Sequence, residues 1–155
     1  MNKVHHYSLT IEWTGNLGTG TSDYRAYTRN HQVSAENKPT ILASSDPHFR
    51  GEKTRYNPEE MLVAALSSCH MLSFLHLCAV NGVIVLEYQD KATGTMIENP
   101  DGSGQFTEVT LHPVVKVKAS SMNAKANELH QQAEKLCFIA RSVNFPVHHL
   151  PMIIN

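Results

Sequence analysis

Cysteine is scarce in this sequence, with three in 155 residues, and no two of them form a CxxC pair. So few thiols exclude a disulfide-stapled scaffold. Charge is sparse and balanced: the formal net charge is −1, and no Lys/Arg cluster is present. That removes the electrostatic footprint of a nucleic-acid binder or of a protein held on an anionic membrane. The opening residues, MNKVHHYSLTIEW, lack the apolar core of a secretory signal, so the expectation is a cytoplasmic protein. In that compartment any pairing of cysteines is redox chemistry rather than structural stapling. There is no internal repeat, low-complexity run or linker, and the length suits one domain spanning residues 1–155.

What the sequence does have is one long apolar stretch, NPEEMLVAALSSCHMLSFLHLCAVNG, from Asn57 to Gly82. Asn57 suits the N-cap, Pro58 the first helical position, and Glu60 completes a capping-box pattern. Gly82 supplies the stop. Between those ends no face is polar, so a helix buried on nearly all sides is expected. Its length would span a bilayer, but His70, His76, Ser67, Ser68 and Ser73 interrupt it and no basic cluster flanks it. A core helix is the preferred reading.

The remaining chain alternates strand and turn. His5–Thr14 has period-two patterning, residues 15–20 form a turn, and Tyr24–Ala35 continues as strand with Arg25 and Arg29 on one face. Lys38–Tyr56 reads as a loop around a short apolar piece at Ile41 and Leu42. Val83–Glu98 and Gln105–Lys118 form a hairpin about the turn ENPDGSGQ. From about Met122 to Ser142 the repeat Ala126, Leu129, Ala133, Leu136, Ala140 marks an amphipathic helix with Cys137 in its last turns. Phe145–Ile154, interrupted by Pro146 and Pro151, suits an edge strand. This order is an α+β layout, with antiparallel strands around a long central helix and a second, amphipathic one.

Three readings of the cysteines compete. Free cysteine is commonly a core residue, which suits Cys78 between Leu77 and Ala79. A metal site lacks support, because Cys69, His70, His76 and Cys78 offer no i, i+4 ligand pair. The third is a redox pair, Cys69 with Cys137. Burial raises a thiol pKa, and Cys69 lies too far along its helix for the N-terminal dipole to activate it. A fixed cation is then required, and arginine, which stays charged and can hold a thiolate and a carboxylate together, is the suitable residue. Composition and periodicity do not choose which arginine or which carboxylate. His70 adjoins Cys69, but helical neighbours point about 100° apart, so it reads as a packing or interface residue.

Two segments carry a family resemblance. NPEEMLVAALSSCHM, with a cysteine ten positions after its first glutamate, and CFIARSVNFPV, around the later cysteine, resemble the two cysteine motifs of the OsmC/Ohr family of thiol-dependent hydroperoxide reductases. The N-terminal W-x-G and the Gly/Thr-rich turn after it are also similar. The resemblance implies an intertwined α+β homodimer with active sites at the subunit interface. It makes Cys69 the peroxidatic thiolate, attacking an organic hydroperoxide, and Cys137 the resolving thiol. An external dithiol, lipoyl-type in some members, would be the reductant. No metal or organic cofactor is implied. The family's glutamate corresponds to Glu59, and its arginine is assigned to Arg25, with Arg29, Arg50 and Arg55 nearby in sequence. Ten helical residues separate Glu59 from Cys69 by about 15 Å, so the resemblance requires either a later helix start or a Glu59 that serves the partner's cysteine. Phe138 departs from the proline that better-characterised branches carry after the resolving cysteine.

The rival reading is of another class: a dimeric module of the same fold that binds an apolar small molecule, with cysteines that are incidental or merely oxidation-sensitive. An arginine able to reach Cys69 separates the two.

Overall fold

The computed structural model describes residues 1–155, and their contacts gather in two compact units, Met1–Met61 and Leu62–Asn155. In the N-terminal unit β1 (Thr10–Trp13), β2 (His31–Ser34) and β3 (Ile41–Ala43) form an antiparallel sheet in chain order. The first strand is shorter than its alternation suggests. Thr10 pairs with Ser34 and Trp13 with His31, so β2 is used up over these four positions. The second expected strand is also cut back, to His31–Ser34. Asp23 starts a turn, its carboxylate accepting the Arg25 amide at 2.8 Å and its carbonyl the Ala26 amide at 3.0 Å, which takes Arg25 off the strand. Further on, the Asp46 carboxylate caps a single 3-10 turn at Pro47–Phe49. Gly51 closes this loop, and a Cβ there would sit 1.5 Å from the Ser45 carbonyl oxygen. No other residue fits.

The long helix, α1, runs Pro58–Val80 with the ends its sequence encodes. The Asn57 side chain accepts the Glu60 amide at 2.8 Å, and the Glu60 carboxylate accepts the Asn57 amide at 3.1 Å, a reciprocal capping box. At the other end Gly82 has φ +73°, and the Val83 amide returns to the Cys78 carbonyl at 3.0 Å. The expectation of burial on nearly all sides is not met within one chain. Leu66, His70, Phe74 and Cys78 are buried, a stripe of every fourth residue, whereas Leu72 is 62 % and Val80 65 % exposed. Within the C-terminal unit, the second helix and two small sheets cover this one stripe of α1.

The C-terminal unit is built on a long hairpin that breaks in the middle. Where one strand is expected on each side there are two: β4 (Val85–Asp90) then β5 (Thr93–Glu98), and β6 (Gly104–Leu111) then β7 (Pro113–Val117). β5 pairs with β6 and β4 with β7, both antiparallel, in separate sheets. Asp90 makes the bend, its carboxylate accepting the His112 amide at 2.7 Å and the Ser67 hydroxyl of α1. The amphipathic helix, α2, spans Asn123–Leu136. It ends before Cys137, whose φ −72° and ψ 105° are extended, and a 3-10 turn at Ala140–Ser142 follows. The expected final strand is two: β8 (Val147–His149) lies parallel to β6 and β9 (Met152–Ile154) parallel to β7, each at a sheet edge.

Two apolar clusters hold this unit. Phe74 and Cys78 of α1 pack with Val115, Val117, Leu129 and Ala133, and Leu66 packs with Val109 and Leu111. Each large side chain so buried stabilises the fold by about 1.5–3 kcal/mol. Between them they fix α2 and the bend of the hairpin against the middle of α1, where Cys69 sits.

Candidate active site

Cys69 lies half-buried on α1, one position before the buried stripe residue His70. Cys137 is its close neighbour from the end of α2, almost fully buried, with its sulfur accepting the Ala140 amide at 3.4 Å. Both are free thiols. Burial pushes the Cys137 thiol up to about 11, the adjacent Cys69 adds to the rise by hydrogen bonding and by charge, and the Ala140 amide opposes it. Cys137 therefore stays protonated at neutral pH and is able to donate S–H to Cys69. Cys78, two and a half turns further along α1, is 1 % exposed, and burial alone holds it near 11. It is a core residue.

A cavity of about 760 Å³ opens beside Cys69. Leu72, Leu136 and Phe138 give it mostly apolar walls, Ser73 and His76 add polar groups from α1, and Lys135 and Arg141 add positive charge. Its size is in the range that encloses most of a small organic molecule. Phe138 is 80 % exposed, an apolar wall presented to whatever enters.

Arg141 is a cation the sequence reading did not consider. It sits four residues after Cys137 in CFIARSVNFPV, and the 3-10 turn at Ala140–Ser142 brings it to the cavity that Cys69 also lines. Its position in the second cysteine segment was the available signal.

The other sequence candidates belong to the N-terminal unit. Arg25 is exposed, and with Arg29 and Arg50 it lines a pocket of about 220 Å³ that also contains Glu52. The Arg29 guanidinium is engaged there, donating to the carbonyls of Tyr27 at 2.8 Å and Tyr24 at 2.7 Å and lying about 4 Å from both tyrosine rings. Arg55 has one buried guanidinium nitrogen without a partner. Glu59 stands in the first turn of α1, half-buried, with one carboxylate oxygen unpartnered, whereas Glu60 is occupied by the cap.

The model of the family "OsmC-like protein" matches residues 51–149, which include both cysteine segments. The chain is 33 % identical to a solved OsmC-like protein of unknown function from Vibrio cholerae O1 biovar eltor, with a TM-score of 0.85, covering 97 % of this chain and 100 % of that one. An organic hydroperoxide resistance protein from Elizabethkingia anophelis shares the fold at 16 % identity and a TM-score of 0.70, covering 100 % of this chain and 99 % of that one. Among curated proteins, the uncharacterized protein YmaD of Bacillus subtilis is 24 % identical over 143 residues, 90 % of this chain and 87 % of its own length. The family model covers well over half of the chain, and the α+β architecture agrees with it throughout; the chain belongs to the OsmC-like family.

Proposed function

We propose that this protein is a homodimeric, thiol-dependent reductase of organic hydroperoxides, with Cys69 as the attacking thiolate and Cys137 as the resolving thiol. One observation carries the reading: a half-buried cysteine lines a mostly apolar cavity that also holds an arginine, and a buried second cysteine is its neighbour. The cavity accepts the organic part of the hydroperoxide by burying it against Leu72, Leu136 and Phe138. The Cys69 thiolate attacks the distal peroxide oxygen, the O–O bond breaks, and the alkoxide leaves as alcohol after taking up a proton, so that Cys69 becomes a sulfenic acid. Cys137 then attacks the sulfenic sulfur, water leaves, and a disulfide forms, which an external dithiol reduces by exchange.

Arg141 and Lys135 provide positive charge at the cavity, placed to stabilise the developing alkoxide. Family resemblance assigns Glu59 and Arg25 to the same chemistry, and their substitution tests that assignment. The exposed apolar residues of the C-terminal unit support the dimer. Leu72 and Val80 on α1, Leu86 on β4 and Phe138 are each more than half exposed, and a second copy would cover surface of this kind.

The test is a thiol count by mass spectrometry on the reduced protein, before and after one equivalent of cumene hydroperoxide. Loss of two thiols, mapped to a Cys69–Cys137 disulfide, is the expected result. Unchanged thiols would refute the reductase and leave the apolar cavity to the rival reading, a small-molecule binding module.

A further inference from the structure

Beneath the cysteine pair lies a cluster of buried histidines that the reductase reading leaves unused. His70 is 0 % and His130 2 % exposed, and the His149 side chain is 8 % exposed. His70 Nε2 and His130 Nδ1 are 3.0 Å apart, and their rings are within 11° of parallel with centroids 5.3 Å apart. That spacing leaves little more than a ring radius on each side of the N···N contact, so the imidazoles meet edge to edge. His130 also stacks on Phe74 at 3.8 Å, and His149 packs on His70 at 4.4 Å.

The groups around the cluster come from four elements: His70 from α1, His130 and Glu134 from α2, Asp90 and Tyr88 from β4, and His148 and His149 from β8. Neither carboxylate neutralises the central pair. Asp90 holds the hairpin bend, and Glu134, half-exposed, stands 3.7 Å from His149 Nδ1. Nor is any group of His, Cys, Asp and Glu side chains arranged to hold a metal ion. Burial, reinforced by the neighbouring imidazoles, drops His70 to about 3 and His130 to about 4. Both are neutral at physiological pH, and the 3.0 Å contact is an N–H···N hydrogen bond in the tautomers that place one proton between the facing nitrogens.

This contact sits in a telling place. His70 directly follows Cys69 on α1, and His130 lies on α2 seven residues before Cys137, the residue at which that helix ends. The rest of the α1–α2 seam is apolar, with Ala126, Leu129 and Ala133 against Phe74 and Cys78. Apolar burial is non-directional, whereas an N–H···N bond adds a directional contact that favours one register.

We propose that His70 and His130, backed by His149, are positioning residues for the thiol pair: their bond fixes the register of α2 on α1 and so holds Cys137 within reach of Cys69. The proposal rests on the Cys69–Cys137 redox reading, and it is tested in a way that separates the two. Wild type, His130→Phe and His130→Gln are reduced and then oxidised with diamide, which takes two electrons and two protons from a thiol pair without any peroxide chemistry. Formation of the Cys69–Cys137 disulfide is followed by mass spectrometry. Phenylalanine keeps the stacking on Phe74 and removes the bond, and should slow closure about tenfold, the scale of one buried hydrogen bond. Glutamine can donate and accept, and should restore closure to within about threefold of wild type. In the peroxide assay, dimedone should trap more Cys69 sulfenic acid in His130→Phe, while consumption of the first peroxide equivalent stays near wild type. His70→Gln serves as the second variant if His130→Phe loses its far-UV CD. Closure by His130→Phe within twofold of wild type would overturn the proposal, as would a wild type that diamide fails to close. Wild type that closes with diamide but not with peroxide would overturn the reductase reading alone.

Discussion

The buried histidine pair makes the fold sensitive to mild acid. The folded values of His70 and His130, about 3 and about 4, lie below the ordinary 6.5, so unfolding takes up protons in the window between those folded values and 6.5. Stability is therefore intact above pH 6.5 and is lost as pH falls from there toward 4 and 3. At pH 5 each imidazole is still neutral in the folded chain but almost fully protonated in the unfolded one, and the difference is about 2 kcal/mol per histidine, or roughly 4 kcal/mol for the two. His149, also lowered by burial, adds in the same direction. A loss of that size is a large fraction of the roughly 5–15 kcal/mol that stabilises a domain. Urea unfolding followed by far-UV CD at a fixed protein concentration, at pH 7.5 and pH 5, measures it. The control is His70→Phe/His130→Phe, which replaces both partners with apolar rings and leaves no orphaned nitrogen. The acid-induced drop should be smaller in the double variant by about 4 kcal/mol, a midpoint difference of about 2 M urea. Equal drops in the two proteins would refute a neutral, buried pair.

Further outcomes follow from the site. Cys69→Ser should abolish peroxide turnover, whereas Cys137→Ser should complete one reduction and then accumulate a sulfenic acid that dimedone traps; sustained turnover by Cys69→Ser would exclude the mechanism. Arg141→Ala should slow the first-turnover reaction with cumene hydroperoxide by about tenfold through loss of a nearby positive charge, with little change in melting temperature because its side chain is exposed. Cys78→Ser places a hydroxyl in the α1 core and should cost about 1–3 kcal/mol in urea unfolding while leaving peroxide reduction at the wild-type rate. Asp90→Asn removes the charge that accepts the His112 amide and the Ser67 hydroxyl, and should destabilise the hairpin bend by about 1–2 kcal/mol, measured in the same unfolding assay.

The parts of this protein that are readable in the sequence are those whose partners lie within one turn of chain. The ends of α1 are of this kind: Asn57 and Glu60 are three residues apart and cap each other, and Gly82 relieves the strain of φ +73°. The two cysteine segments are also short enough to be recognised as they stand, and they led to the family that the comparisons support. Strand lengths are not readable where another element decides them. One strand is expected across Asp90 and one across His112, yet both break there because Asp90 turns its carboxylate to His112 and to Ser67 of α1, 22 and 23 residues away. Cys137 lies beyond its helix rather than within it, and the turn that follows delivers Arg141 to the cavity of Cys69, a placement no local pattern encodes. The meeting of His70 with His130 spans 60 residues and with His149 still more. Such a contact exists only once α1, α2 and β8 have packed, because its directionality is supplied by three backbones that share no local sequence signal. Sequence determined the helix and the thiols, and packing decided what surrounds them.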